Sequence, residues 1–129
     1  MNINMNNTLI QTKCFLTLLD EFYDFLEMKL PLFRSDIILT RTYSDTMKAG
    51  NPRIVVNQFM GALKPFETKI MNCDEHFFLD FERNIKLEKE IQMIGARLKK
   101  YWLSEDLTIQ DRAYIWGYIQ GLLKIGNKI

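Results

Sequence analysis

The chain has 129 residues, of which 47% are hydrophobic and 12% aromatic, which is enough for one domain with a sizeable core and excludes a disordered chain. Seventeen basic and sixteen acidic side chains leave a formal charge of +1, so no strong overall field attracts nucleic acid or an anionic membrane. No apolar run approaches the roughly 18 residues of a membrane-spanning helix. The sequence therefore predicts a single domain without a membrane span.

The cysteine content and the N-terminal sequence indicate the cellular compartment in which the protein acts. Two cysteines, Cys14 and Cys73, are too few for the disulfide framework of a small secreted domain. The first residues are polar and uncharged, unlike a secretory signal. We therefore expect an intracellular protein with both thiols reduced.

The first predicted helix follows a disordered tail over residues 1–7, with Thr8 as its N-cap. Pro31 disfavours helical geometry in the residue before it, so this helix should end near residues 28–30. Opposite a polar face, apolar side chains recur at helical spacing: Phe15, Leu18, Leu19, Phe22, Phe25 and Leu26.

A second helix is predicted to begin at a cap from Ser35 or Asp36 and to end near Gly50. Its apolar side chains are Ile38, Leu39, Tyr43 and Met47. Asn51 and the proline after it match the N-cap and the first position of a third helix. The side chains that this helix should bury precede Pro65: Val55, Val56, Phe59, Met60 and Leu63.

Two short helices are predicted next, and Asp74 should cap the second. Their inward side chains are Phe66, Ile70 and Met71 in the first and Phe77 and Phe78 in the second. Residues 80–86 are predicted to form a loop. A longer helix then carries an apolar stripe: Leu87, Ile91, Ile94, Leu98 and Tyr101 or Trp102.

The last helix follows a polar break over residues 104–106 and opens on a capping box, Thr108 with Asp111. Two adjacent apolar stripes cover most of its circumference: Ile109, Ala113, Trp116, Ile119 and Leu123 in one, and Ile115, Tyr118, Leu122 and Ile125 in the other. A helix that is apolar on two sides is typical of the centre of a bundle.

No segment alternates with the two-residue period of a strand. We therefore predict an all-α fold: a single compact bundle of five to six helices over residues 8–129, with the C-terminal helix central. Trp102 and Trp116 should lie in or next to the core.

Gly117 and Gly121 have the small-residue spacing that lets two helices approach closely. The interpretation that we favour is a close crossing within the bundle. The alternative is a partner helix that docks on the narrow strip to which both glycines belong.

The tightest cluster of ligand-type residues is Cys73-Asp74-Glu75-His76. A structural zinc site needs four ligands, and His76 is the single histidine of the chain. A Cys–His nucleophile pair would need an orienting third group, which no motif supplies. The cluster is therefore interpreted as a capped helix start, and the sequence predicts no metal, no cofactor and no catalytic residue.

A concentration of basic residues is the candidate for nucleic-acid contact: Lys86, Lys89, Arg97, Lys99 and Lys100. A basic helix face can bind phosphates. Glutamates interleave with these residues, however, and mixed signs are typical of a solvated face. Nucleic-acid binding is therefore the alternative function rather than the leading one.

Five motifs occur in a fixed order: Asn51-Pro52-Arg53, then Pro65-Phe66-Glu67-x-Lys69-Ile70-Met71-Asn72, then Asp74-Glu75-x-Phe77-Phe78, then Trp102, and last Ile115-Trp116-Gly117-Tyr118-Ile119-Gln120-Gly121-Leu122-Leu123. In this order they resemble the small uncharacterised α-helical proteins of nucleocytoplasmic large DNA viruses, the giant viruses, over roughly residues 10–129. Gly117 and Gly121 stand where that group carries bulkier or more polar residues. The resemblance transfers no catalytic residue.

The resemblance implies a non-enzymatic interaction or structural protein of a large DNA virus. We expect it to bind other viral or host proteins through a helix face, with a homo-oligomer as another arrangement. The expected location is the virus factory in the host cytoplasm, or the virion. The alternative is a nucleic-acid-associated accessory factor that uses the basic helix face.

Overall fold

The computed structural model describes the backbone of residues 3–81 and 89–129 and the side chains of residues 7–81 and 96–129. Every regular element in these ranges is helical. In chain order the elements are α1 (Ile3–Lys29), α2 (Arg34–Gly50), α3 (Pro52–Leu63), the short α4 (Glu67–Met71) and α5 (His76–Asp80), α6 (Lys89–Trp102) and α7 (Ile109–Gly126). The predicted all-α bundle is confirmed. No helix in the described ranges has the length and apolar character needed to cross a membrane.

α1 is longer at its N-terminus than predicted. It begins at Ile3, so the predicted cap at Thr8 is wrong and residues 3–7, which were assigned to a disordered tail, are helical. The physical reason is that extending a nucleated helix costs little, and residues 3–7 contain no glycine or proline. At its other end α1 stops at Lys29, as Pro31 predicts.

The caps of α2 and α3 differ in how well the sequence predicted them. A 3₁₀ turn over Pro31–Phe33 leads directly into α2, which has no side-chain cap. The predicted caps at Ser35 and Asp36 are wrong because both residues are already helical. The cap of α3 is confirmed, since Oδ1 of Asn51 accepts a hydrogen bond from the N–H of Arg53 at 3.0 Å.

The short helices α4 and α5 are placed by one cap and three buried side chains. Oδ1 of Asp74 accepts from the N–H of His76 at 3.0 Å, as predicted for the start of α5. Met71 is 41% exposed, so its predicted inward position is wrong. It follows Ile70 by about 100° around the helix, and Ile70 takes the inward position. The fully buried side chains here are Ile70, Phe77 and Phe78.

α1 and α7 lie antiparallel along the bundle. The ring centroids of Phe22 and Tyr118 are 5.2 Å apart, and farther along, Nζ of Lys29 lies 3.5 Å from Oδ1 of Asp111. α7 also contacts α3 and α4, and the ring of Trp116 reaches aromatic rings of α5 and α6. Five other helices therefore surround α7, in agreement with its predicted central position.

One predicted stripe of α7 is partly wrong. Ile109 is 89% exposed and Ala113 is also exposed. The reason for Ile109 is that α1 ends opposite Asp111, so the first turn of α7 extends beyond its neighbour. Ala113 lies one turn before Gly117 on the solvent-facing strip of the helix.

The two glycines of α7 differ in their surroundings, and we expect their alanine variants to differ too. Gly117→Ala should raise the free energy of unfolding by about 0.5–1 kcal/mol, because alanine restricts the unfolded chain and the space at its Cβ is open. A Cβ on Gly121 would lie 2.9 Å from Cδ2 of Leu18 on α1. Because Leu18 must move to admit it, Gly121→Ala should raise the free energy of unfolding by less than Gly117→Ala does. Urea denaturation followed by far-ultraviolet circular dichroism measures both. A loss of stability in Gly117→Ala would contradict the open position.

The capping box of α7 predicts a dependence of stability on pH. Oδ2 of Asp111 accepts from the N–H of Thr108 at 3.0 Å, and Oγ1 of Thr108 accepts from the N–H of Asp111 at 3.0 Å. The N–H of Thr108 lowers the pKa of Asp111 most; burial opposes this effect, and the Lys29 ammonium lowers the pKa further. The stabilisation is therefore present above the unfolded-state pKa, about 3.9, and lost as the pH falls through the lower pKa of the folded state.

Asp111→Asn should accordingly cost about 0.5–1 kcal/mol at pH 7. The difference in the free energy of unfolding between Asp111→Asn and the wild type should narrow as the pH falls below about 4. Urea denaturation at a series of pH values measures the narrowing. Asp106→Asn, in the exposed turn before the cap, is the matched control. A constant difference for Asp111→Asn between pH 7 and pH 2 would be inconsistent with this account.

Candidate functional site

α2 is attached to the rest of the bundle mainly by polar contacts. Of its 17 residues, all of them described, only Ile37 is buried. A guanidinium nitrogen of Arg41 lies 2.6 Å from Oδ1 of Asp24 and 2.6 Å from Oε2 of Glu27, both on α1. These charges hold one side of α2 against α1 and leave Ile38 and Leu39 exposed on the other side.

Three large apolar side chains of α2 are exposed to solvent. Ile38, Leu39 and Tyr43 are 45%, 60% and 43% exposed. The hydroxyls of Thr42 and Thr46 donate to the helix carbonyls four residues earlier, at 2.8 and 3.0 Å, so their polar groups are satisfied within the helix. We refer to these five residues as the outer stripe of α2.

The sequence identified the apolar side chains of α2 but not the direction in which they point. Ile38, Leu39 and Tyr43 were expected to supply its apolar face, and they are exposed. Met47, the fourth, is half-buried against the core. The actual inward residue, Ile37, could not be distinguished by spacing from its neighbour Ile38.

An apolar cavity of about 80 Å³ lies on the inner side of α2. Side chains of α1, α2, α3, α5, α6 and α7 form its described wall. The described wall residues that are half-buried or exposed lie on α2, α3 and α6. No motif of the sequence predicted this cavity, because it arises where several helices meet.

Tyr101 lies in the wall of the cavity and is 6% exposed. Its hydroxyl is buried and has no hydrogen-bond partner among the described residues. Burial raises the pKa of Tyr101 to about 12; the negative charge of Asp36 raises it as well, and the positive charge of Arg97 opposes both. A buried hydroxyl without a partner costs about 1–3 kcal/mol.

Of the five predicted nucleic-acid contacts, the structure describes the side chains of three, Arg97, Lys99 and Lys100. Lys86 lies outside the described residues, and Lys89 belongs to α6 with a side chain outside them. Arg97 donates to a threonine hydroxyl of α2 at 3.3 Å and lines the cavity. Lys99 is half-buried and Lys100 is exposed. The basic face remains a prediction, which salt-dependent binding of labelled DNA or RNA would test.

The cluster from Cys73 to His76 is exposed at the surface. Sγ of Cys73 accepts from Nε2 of Gln120 at 3.3 Å, and Nδ1 of His76 lies 3.5 Å from Oδ2 of Asp80. Within the described residues, no group of three or more histidine, cysteine, aspartate and glutamate side chains could hold a metal ion. Cys14 is exposed as well, and both cysteines are free thiols.

Comparison with known proteins does not indicate what the outer stripe or the cavity binds. The chain matches no family model, no curated protein and no solved structure.

Proposed function

We propose that this chain is a non-enzymatic interaction protein that binds another protein through the outer stripe of α2. The observation that carries the proposal is the exposure of Ile38, Leu39 and Tyr43 on one side of a helix. Single exposed apolar residues are ordinary on a protein surface, whereas several that lie next to one another are typical of an interaction site.

The spacing of the stripe supports a helical partner. Ile38, Thr42 and Thr46 follow one another every four residues, and Leu39 and Tyr43 run beside them at the same spacing. Side chains four residues apart lie on the same side of a helix, and this is the pattern by which an apolar helix face docks against a complementary one. Tyr43 is also of the residue type that is enriched at the energetic centres of interfaces.

The setting of this interaction is proposed from the sequence resemblance alone. The partner would be a viral or host protein, and the contact would form in the virus factory of a host cell infected by a large DNA virus, or in the virion. The interaction itself does not depend on that origin, because it is argued from the exposed stripe.

The experiment compares two leucines with almost the same exposure. Leu39, in the stripe, is 60% exposed and Leu9, on α1, is 58% exposed. A photo-crosslinking amino acid at position 39 should give one discrete adduct with a partner in cells, and the same amino acid at position 9 should not. Leu39→Glu should abolish recovery of that partner, since a charge in an apolar interface loses its hydration, while Leu9→Glu should leave recovery unchanged.

Light scattering of the purified protein tests whether the partner is a second copy of the chain. A mass that rises with concentration, and that Leu39→Glu returns to the monomer, would identify a homo-oligomer formed through the stripe. The proposal fails if Leu39→Glu and the wild type recover the same proteins and have the same mass at every concentration.

A further inference from the structure

We infer that the partner of the outer stripe is a second copy of this chain, whose α2 lies antiparallel to the first across a two-fold axis. This inference rests on the proposed function, because it names the partner of the same surface. It is carried by the match between the outward side chains of α2 and the same side chains taken in reverse order.

The outward residues of α2 recur with a period of seven residues. Five exposed residues follow one another at alternating intervals of four and three: Ser35, Leu39, Thr42, Thr46 and Ala49. We refer to these five residues as the heptad line. This spacing is that of the line along which two helices pack in a coiled coil. Ile37, the buried residue of α2, lies on the opposite side of the helix, so the heptad line is free to meet another helix.

The sizes of the outward side chains favour an antiparallel partner. When Leu39 faces Thr42 of the second copy, the same register places Leu32 opposite Ala49. Leu32 is 82% exposed in the 3₁₀ turn that precedes α2. Each of these leucines then packs against a smaller side chain, which keeps the distance between the two helices even along their length. A parallel pair would place leucine against leucine and alanine against alanine.

The charges beside the heptad line are complementary in this register. Arg34 and Asp45 are both exposed, and both lie on the side of the line that carries Ile38. A two-fold axis brings this side of one copy against the same side of the other, so Arg34 of each copy lies within one helical turn of Asp45 of the other. Lys48 lies 3.5 Å from Oδ1 of Asp45 and 3.7 Å from Oδ2 of Asp20, so its charge is compensated within its own chain.

The symmetry also limits the size and the strength of the assembly. A two-fold contact uses the outer stripe of both copies, so the assembly stops at a dimer. Each copy contributes one helix, and an interface of that extent belongs to the small, transient class of protein contacts. We therefore expect a reversible dimer with a micromolar dissociation constant.

Sedimentation equilibrium of the full chain tests the stoichiometry. The wild type should fit a monomer–dimer equilibrium without larger species. Leu39→Glu should be monomeric, because two buried carboxylates would face the partner helix. Leu9→Glu, at a leucine of α1 with nearly the same exposure, should dimerise like the wild type. A wild type that is monomeric at every concentration, or that forms larger assemblies, would overturn the inference.

Charge reversal tests the antiparallel register. Arg34→Asp and Asp45→Arg should each weaken the dimer about tenfold, because symmetry turns two attractive pairs into two repulsive ones. The two changes in one chain should restore most of the affinity. Arg53→Asp, at an exposed arginine of α3, is the control and should not alter the affinity. A double variant that associates no better than either single variant would show that this register is wrong.

Disulfide formation gives a second measure of the register. The two native thiols are exposed, so the background carries Cys14→Ser and Cys73→Ser. When the variants Leu39→Cys and Thr42→Cys are mixed and oxidised, the 39–42 disulfide should form faster than the 39–39 or the 42–42 disulfide. Faster 39–39 and 42–42 disulfides would indicate a parallel pair and overturn the inference.

Photo-crosslinking at position 39 separates this inference from the proposed function. An adduct with twice the mass of the chain supports both. If the adduct contains a different protein and the purified chain stays a monomer, the outer stripe binds a partner and the second copy is excluded. If Leu39→Glu changes neither the mass nor the recovered proteins, both proposals fail.

Discussion

Arg112→Met is expected to lower the free energy of unfolding by about 3 kcal/mol. The guanidinium of Arg112 donates to the carbonyl oxygens of Trp102 at 3.0 and 3.2 Å, Ser104 at 2.9 Å and Leu107 at 2.8 Å. It also lies 5.6 Å from the centroid of the Trp102 ring. Methionine keeps much of the aliphatic stem but leaves these part-buried carbonyls without their donor.

The geometry of the guanidinium makes Arg112→Lys informative as well. One ammonium cannot occupy the fork positions of a guanidinium, so lysine should recover less than half of the loss. Urea denaturation measures both variants, and amide hydrogen exchange should show faster exchange at Leu107, whose N–H donates to the carbonyl of Ser104. Arg53→Met, at an exposed arginine of α3, is the control. If Arg112→Met lowers the free energy of unfolding no more than Arg53→Met does, the turn between α6 and α7 does not need this guanidinium.

Local features of the sequence predicted the starts and stops of several helices correctly. The capping box of Thr108 and Asp111 and the cap at Asn51 are both formed. Their partners lie within three residues along the chain, so the pattern that identifies them also contains the interaction. The end of α1 before Pro31 is equally local, since proline restricts the residue that precedes it.

The orientation of α2 could not be predicted in the same way. Spacing places Ile38, Leu39 and Tyr43 on a helix but does not say which neighbour the helix meets. That choice depends on the ion pairs of Arg41 with Asp24 and Glu27, which are 17 and 14 residues away in the chain. The outer stripe, on which the proposed function rests, became visible only when these distant charges were placed together.

The cavity could not be predicted from the sequence for a related reason. Its wall draws on helices from both ends of the chain, and no short segment contains more than a few of its residues. The sequence places Arg97 among five surface cations, whereas the structure places it in the cavity wall, where it donates to the hydroxyl of Thr40 on α2. The unpartnered hydroxyl of Tyr101 likewise has no sequence signature, because tyrosines with partners and without them look alike in the chain.

The aromatic core, by contrast, was largely predictable, and it gives the largest effect that we expect. Phe78 is 2% exposed, and its ring centroid lies 4.3 Å from that of Trp102 and 4.9 Å from that of Trp116. These contacts join α5, α6 and α7. Phe78→Ala should therefore lower the free energy of unfolding by about 4 kcal/mol, from lost burial and from the cavity that alanine leaves.

Phe25→Ala is the matched control for this prediction. Phe25 is half-buried, and its ring lies 5.5 Å from Tyr118 and 5.9 Å from Tyr114 at the outer seam of α1 and α7. Phe25→Ala should lower the free energy of unfolding by only about 1–2 kcal/mol, because water can reach the space that the ring leaves. Far-ultraviolet circular dichroism in urea is the measurement, since tryptophan fluorescence would respond directly to the removal of Phe78. Equal losses for the two variants would mean that the contacts of α5 with the two tryptophans contribute little, and that the bundle is held chiefly by the packing of α1 against α7.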